Sequence, residues 1–168
     1  MPISIALLAA ATLAVATPTA MPTATPQPAS GHSPANASAQ PAWRSVRADT
    51  IGDLLFTTET LNGRVRFLAR GLKSPVPVTT SDFTPDSVRS WAASAAELAS
   101  NSAPKMGEMR ALGTALTLNV TTTTTGETAF GFYVGDAVSD QQVALALTKD
   151  NVAKLTSGVT SALDAIAH

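Results

Sequence analysis

The stretch Leu54-Leu-Phe-Thr-Thr-Glu-Thr-Leu-Asn-Gly-Arg-Val-Arg-Phe-Leu-Ala-Arg70 decides how this chain is read. Asn62-Gly63 stands at its middle, and both residues accept the left-handed backbone that a two-residue type I′ hairpin requires. The flanks, 54–61 and 64–70, are rich in Thr, Phe, Leu and Val and have strand character. A two-residue loop leaves a single register. Thr60 then faces Val65, Thr58 faces Phe67 and Phe56 faces Ala69, which marks that side as the core face. On the other side Glu59 faces Arg66 and Leu55 faces Arg70.

Downstream, Thr84-Pro85-Asp86 opens a helix, with Thr at the N-cap, Pro at the first helical position and an acid in the first turn. Val88, Trp91, Ala92, Ala95 and Leu98 recur at helical spacing as its apolar stripe, and Asn101 to Pro104 ends it. A second hairpin, Thr114–Thr123 with Glu127–Val134, turns at Thr124-Thr125-Gly126. A three-residue loop pairs Val120 with Phe130, Leu118 with Phe132 and Leu116 with Val134, uniting the large apolar groups. The alternative two-residue loop would set Phe130 and Phe132 against Thr121 and Asn119, so the first register is expected. Val143–Leu147 is a further short strand. Thr148-Lys-Asp150 starts a last helix whose stripe is Val152, Leu155, Val159, Leu163 or Ala162, and Ile166.

The order β-β-α-β-β-β-α predicts an α+β fold: an antiparallel sheet of about five strands with two helices packed on one face. The segments Phe83-Thr-x-Asp-x-Val88 and Leu147-Thr-x-Asp-x-Val152 share a pattern; the identities are few, so the same capping chemistry used twice explains it better than an ancestral duplication does. Trp91 reads as core and Trp43 as an anchor at the domain edge.

Outward from this domain, composition changes abruptly. From Met1 to Ala42 there is no Asp, Glu, Lys or Arg. The leader Ile3–Ala16 is apolar, too short to span a bilayer as a mature helix, and carries the small–x–small pattern Ala14-Val15-Ala16 of a signal-peptide cleavage site. It lacks the basic residue that usually precedes such a leader. Residues 17–42 place Pro18, Pro22, Pro26, Pro28, Pro34 and Pro41 among Thr, Ala, Ser and Gln, the composition of a disordered linker. The expected organisation is a signal peptide at 1–16, a low-complexity Pro/Thr/Ala linker at 17–42 and a single α+β domain at 43–168. Localisation is expected to be periplasmic or extracellular, with no transmembrane anchor in the mature chain.

The chain carries 11 basic and 12 acidic residues, a formal net charge of −1, which argues against nucleic acid as a partner. It has no cysteine, so neither a disulfide framework nor a thiol nucleophile is available. His32 and His168 are the only histidines; they flank the domain, which removes Ser–His–Asp chemistry and imidazole-bound zinc from its interior. No cofactor and no metal site is expected. Ser102-Ala-Pro-Lys105 matches the S-x-x-K string of penicillin-interacting serine enzymes, but Pro104 disfavours the helical turn that would bring Lys to Ser, and the accompanying S-D-N and K-T-G strings are missing. Asp136 and Asp140 share one loop without the dense acidic spacing of a Ca²⁺ site. Asp82, Asp86 and Asp150 read as helix-start residues.

The charge is unevenly spread. Arg44 to Lys73 holds six basic and three acidic residues, whereas Asp82 onward holds five and nine. Arg64, Arg66 and Arg70 fall on one strand face, with Lys73 just beyond. They are the candidate contacts for an anionic ligand or an envelope protein. The leading expectation is an exported, envelope-associated, non-enzymatic binding domain. A small hydrolase using carboxylates or Ser/Lys is one alternative, and a structural subunit that self-associates through a sheet edge is another.

Overall fold

A computed structural model describes residues 41–74 and 76–167. The leader at 1–16 and nearly all of the 17–42 segment lie outside them. The class is α+β, with two antiparallel four-stranded sheets in place of one five-stranded sheet, and the two helices pack on each other and against strands of both sheets instead of lining one face of a single sheet. The first sheet contains β1 (Arg44–Ile51), β2 (Leu54–Leu61), β3 (Arg64–Gly71) and β4 (Val78–Thr79) in that order, and helix α1 (Pro85–Ser100) follows it. The second contains β5 (Met109–Leu112), β6 (Leu116–Thr122), β7 (Thr128–Gly135) and β8 (Gln142–Leu147), and helix α2 (Lys149–Ile166) follows. The chain order is therefore ββββα twice over.

Three strands account for the difference from the single-sheet expectation. β1 has no apolar alternation, because it lies at the sheet edge and a register shift between Ser45 and Arg47 breaks its period. β4 and β5 are too short to carry a period of two. Both hairpin registers do follow the apolar pattern. Thr60, Thr58 and Phe56 pair with Val65, Phe67 and Ala69, and Asn62 (φ 49°) with Gly63 (φ 74°) makes the left-handed turn. Val120, Leu118 and Leu116 pair with Phe130, Phe132 and Val134, with Gly126 left-handed at φ 84°.

The two units correspond residue by residue at their ends. Leu147 pairs with Phe130 just before Thr148 caps α2, and Phe83 bridges Val65 just before Thr84 caps α1. Val78 opposite Ala69 matches Val143 opposite Val134. Between these anchors the first unit has one residue more, and it is absorbed at Thr80. There the Phe67 N–H donates to Thr80 Oγ1 at 3.0 Å while the Thr80 N–H donates to the Phe67 carbonyl at 3.0 Å. That substitution of a side chain for a ladder group cuts β4 short.

One apolar core serves both units. Phe56 and Phe67 of the first sheet stack with centroids 5.0 Å apart, and Phe132 of the second sheet meets Phe56 edge-on at 5.9 Å and Trp91 of α1 at 6.4 Å. Phe67 and Phe132 are fully buried. The helices run antiparallel: Arg89 near the start of α1 pairs with Asp164 near the end of α2 at 2.9 Å, and Lys149 Nζ donates to the Ser100 carbonyl at the other end. Gly158 lets α2 approach β1, since a side chain there would press on the Asp49 carboxylate.

Candidate functional site

The outward face of the first sheet carries the arginines that the alternation selected. Arg64, Arg66 and Arg70 project from β3 at every second position or multiple of it, opposite Leu61, Glu59 and Leu55. They differ sharply in their surroundings. Arg64 Nε donates to Asp82 Oδ2 at 2.7 Å and its Nη2 to the Asp82 carbonyl at 3.2 Å, which holds the Asp82 carboxyl below the ordinary range. Arg66 donates to Glu59 Oε2 at 2.8 Å, and its guanidinium lies 4.3 Å from the centre of the Trp43 ring. Glu59 is itself nearly buried and accepts from Ser45 Oγ at 3.4 Å. Arg64 and Arg66 are thus committed to local carboxylates.

Arg70 is exposed and has no carboxylate within ion-pair distance among the described residues. Beside it, Leu55, Thr57, Leu68 and Pro77 wall a shallow depression of about 240 Å³. Leu55 and Leu68 are half-buried, so the guanidinium borders an apolar bed. Lys73 sits elsewhere: it lies in the turn after β3, 3.8 Å from Asp53, at the mouth of a different cavity between that turn and β8. The sequence-selected basic residues therefore divide into two supported arginines, one unpaired arginine and one lysine on another depression.

The other candidate groups are held in structural roles. Asp136 accepts from the Thr79 N–H at 2.9 Å through one oxygen, and through the other from the Val138 N–H, the Ser139 N–H and Ser139 Oγ at 2.9, 2.9 and 3.1 Å. These donors favour the ionised form and pull its pKa down to about 2. Both of its oxygens are engaged with the chain itself. Ser102 and Lys105 lie in the irregular segment after α1, with no helical turn between them. Asp86 and Asp150 occupy the first turns of α1 and α2. Among the described residues no group of three His, Cys, Asp or Glu side chains could hold a metal ion, and no helix is long and apolar enough to cross a membrane.

Sequence reasoning missed three features. The Trp43–Arg66 stack joins residues far apart in the chain, and it takes the pairing of β1 with β2 on top of the β2–β3 hairpin to bring them together. The Asp136 clasp bridges 57 positions and leaves no local pattern. The cavity beside β8 is lined from both sheets, by Asp53, Leu54, Leu72, Lys73, Val143 and Leu145 among others, so it exists only once the two units pack. No protein-family model matches the chain, and no curated protein matches it.

Proposed function

We propose that this chain is an exported, non-enzymatic binding domain of the cell envelope, and that it holds an anionic partner on the outward face of its first sheet. Arg70 carries the reading. It is an exposed guanidinium with no carboxylate partner among the described residues, set beside a depression with apolar walls. A carboxylate or phosphate attached to a short apolar segment suits that combination: the fork geometry of arginine takes the anion, and Leu55 and Leu68 take the apolar part. Arg64 and Arg66, farther along the same strand, are neutralised by Asp82 and Glu59, which leaves Arg70 as the uncompensated charge of this face.

The test is native mass spectrometry of the chain purified from the envelope of its own host. An adduct or stoichiometric partner is expected on the wild type and lost from Arg70→Glu, with the melting temperature of that variant unchanged. Arg64→Glu, which faces Asp82 with like charge, should lower the melting temperature as well. An adduct retained at full occupancy by Arg70→Glu would overturn the assignment, as would a wild type that carries none.

A further inference from the structure

The two ββββα units provide an internal comparison of their last strands. In the first unit the outward edge of β4 is covered. The Thr79 N–H donates to Asp136 Oδ2 at 2.9 Å, and the Thr79 carbonyl accepts from the Ala137 N–H at 2.8 Å. The β7–β8 loop supplies both partners. Val78 corresponds to Val143, so Thr79 corresponds to Ala144 of β8.

At Ala144 nothing equivalent is present. The Asp136 N–H donates to the Gln141 carbonyl, which fixes the alternation along the ladder: 141, 143, 145 and 147 direct their backbone groups to β7, and Gln142, Ala144 and Ala146 direct theirs outward. Among the described residues none of these three outward positions has a hydrogen-bond partner on that side. The turn at 71–74 faces this strand across a cavity, without a hydrogen bond to it among the described residues. The strand Gln142-Val-Ala-Leu-Ala-Leu147 lacks in its own sequence and pairing what usually protects an edge. It contains no charge and no proline, and its pairing with β7 is regular without a bulge.

We propose that β8 is an interface for a second copy of this chain, which pairs with it antiparallel about Ala144. The self-complementarity of the strand selects that occupant. Centred on Ala144, the pairing sets Ala144 against Ala144, Gln142 against Ala146, and Val143 against Leu145. The exposed Gln142, Ala144 and Ala146 then meet on the outward face and the half-buried Val143 and Leu145 on the inward one. Next to the edge, the cavity of about 360 Å³ between β8 and the turn at 71–74 offers space for apolar side chains, with Leu72 more than half exposed on its wall. Its mouth carries one acid and one base, Asp53 and Lys73, the balance an isologous two-fold contact needs. The two second sheets would become one continuous eight-stranded sheet.

Sedimentation velocity of the full chain across micromolar to millimolar concentration tests this. The wild type is expected to shift reversibly from one chain to two. Ala144→Pro removes an outward N–H that β7 does not use, and Ala146→Lys places a charge at the edge; both variants should stay monomeric with melting temperatures near the wild type. Because Ala146→Lys alters only an exposed side chain, it keeps the test valid if the proline variant folds poorly. The chain has no cysteine. Ala144→Cys should therefore oxidise to a disulfide-linked dimer, whereas Ser90→Cys on the exposed face of α1 should not. A wild type that remains monomeric, a dimer that survives Ala146→Lys, or equal crosslinking of the two thiols would overturn the proposal. Loss of dimer with the Arg70-dependent adduct intact leaves the binding reading standing, so the two fail separately.

Discussion

Phe132→Ala tests whether the two ββββα units share one cooperative core. The ring is fully buried on β7, between Leu118 and Leu145 along its own sheet, and it reaches Phe56 of the first sheet at 5.9 Å and Trp91 of α1 at 6.4 Å. Truncation removes roughly 150 Å² of buried apolar surface, which at about 25 cal/mol per Å² is about 4 kcal/mol. Losing two aromatic contacts adds about 1 kcal/mol, and the total falls at the upper end of the range of about 3–5 kcal/mol for Phe truncations in cores. A domain of this size is stable by about 5–15 kcal/mol, so the loss takes about a third of the total at the upper bound and all of it at the lower, where the variant would show no folded baseline. Urea unfolding measures the loss as a fall in midpoint of about 2.5 M for a slope near 2 kcal/mol/M. Two probes make the test sharper. Trp43 stands just before β1, against Arg66 of the first sheet, and Trp91 is on α1, so a Trp91→Phe background, which keeps a ring against Phe132, and a Trp43→Phe background report on different parts of the fold. Both should register the same shift, although the substitution is in the second sheet. A loss below about 2 kcal/mol, or a transition that moves at Trp91 but not at Trp43, would refute the shared core.

Three further outcomes are expected. Asp136 is held below its ordinary pKa, so its contribution to stability is present above about pH 4 and is lost as pH falls through about 2. Asp136→Asn should lower the melting temperature at neutral pH and flatten its fall between pH 4 and 2; an unchanged acid profile would disprove the clasp. Gly63→Ala places a β-carbon at φ 74° with nothing within 4 Å of it, so only backbone strain acts, and chemical denaturation should show a loss of about 1–2 kcal/mol. Thr84→Ala and Thr148→Ala each remove a side-chain acceptor from an N-cap and should each cost about 1 kcal/mol by the same assay, with the double variant additive.

The parts of this fold legible in sequence are those whose signals are local. Asn62-Gly63 specified its own hairpin, and the clustering of Phe130, Phe132 and Val134 against Val120, Leu118 and Leu116 selected a three-residue loop over two. Thr84 and Thr148 marked both helix starts. The second sheet escaped notice because β5 is only four residues long, so the later hairpin read as an extension of the first. At the candidate site, alternation placed three arginines on one face, but alternation has no means of showing that Asp82 and Trp43 return to cover two of them. Their difference from Arg70 is a property of tertiary contact.

The clasp between Thr79 and Asp136 also orders events in time. Synthesis runs from the N-terminus, so β1–β4 and α1 are complete well before residues 136 and 137 emerge to cover the edge of β4. Until then the first unit presents two bare sheet edges and a half-built core. A chain released early, by truncation anywhere between Asn101 and Gly135, would keep that unsealed edge and stick to its neighbours. The β7–β8 loop thus seals an edge that the first unit does not cover by itself, and a chain lacking that loop is expected to give insoluble protein as well as a lower melting temperature.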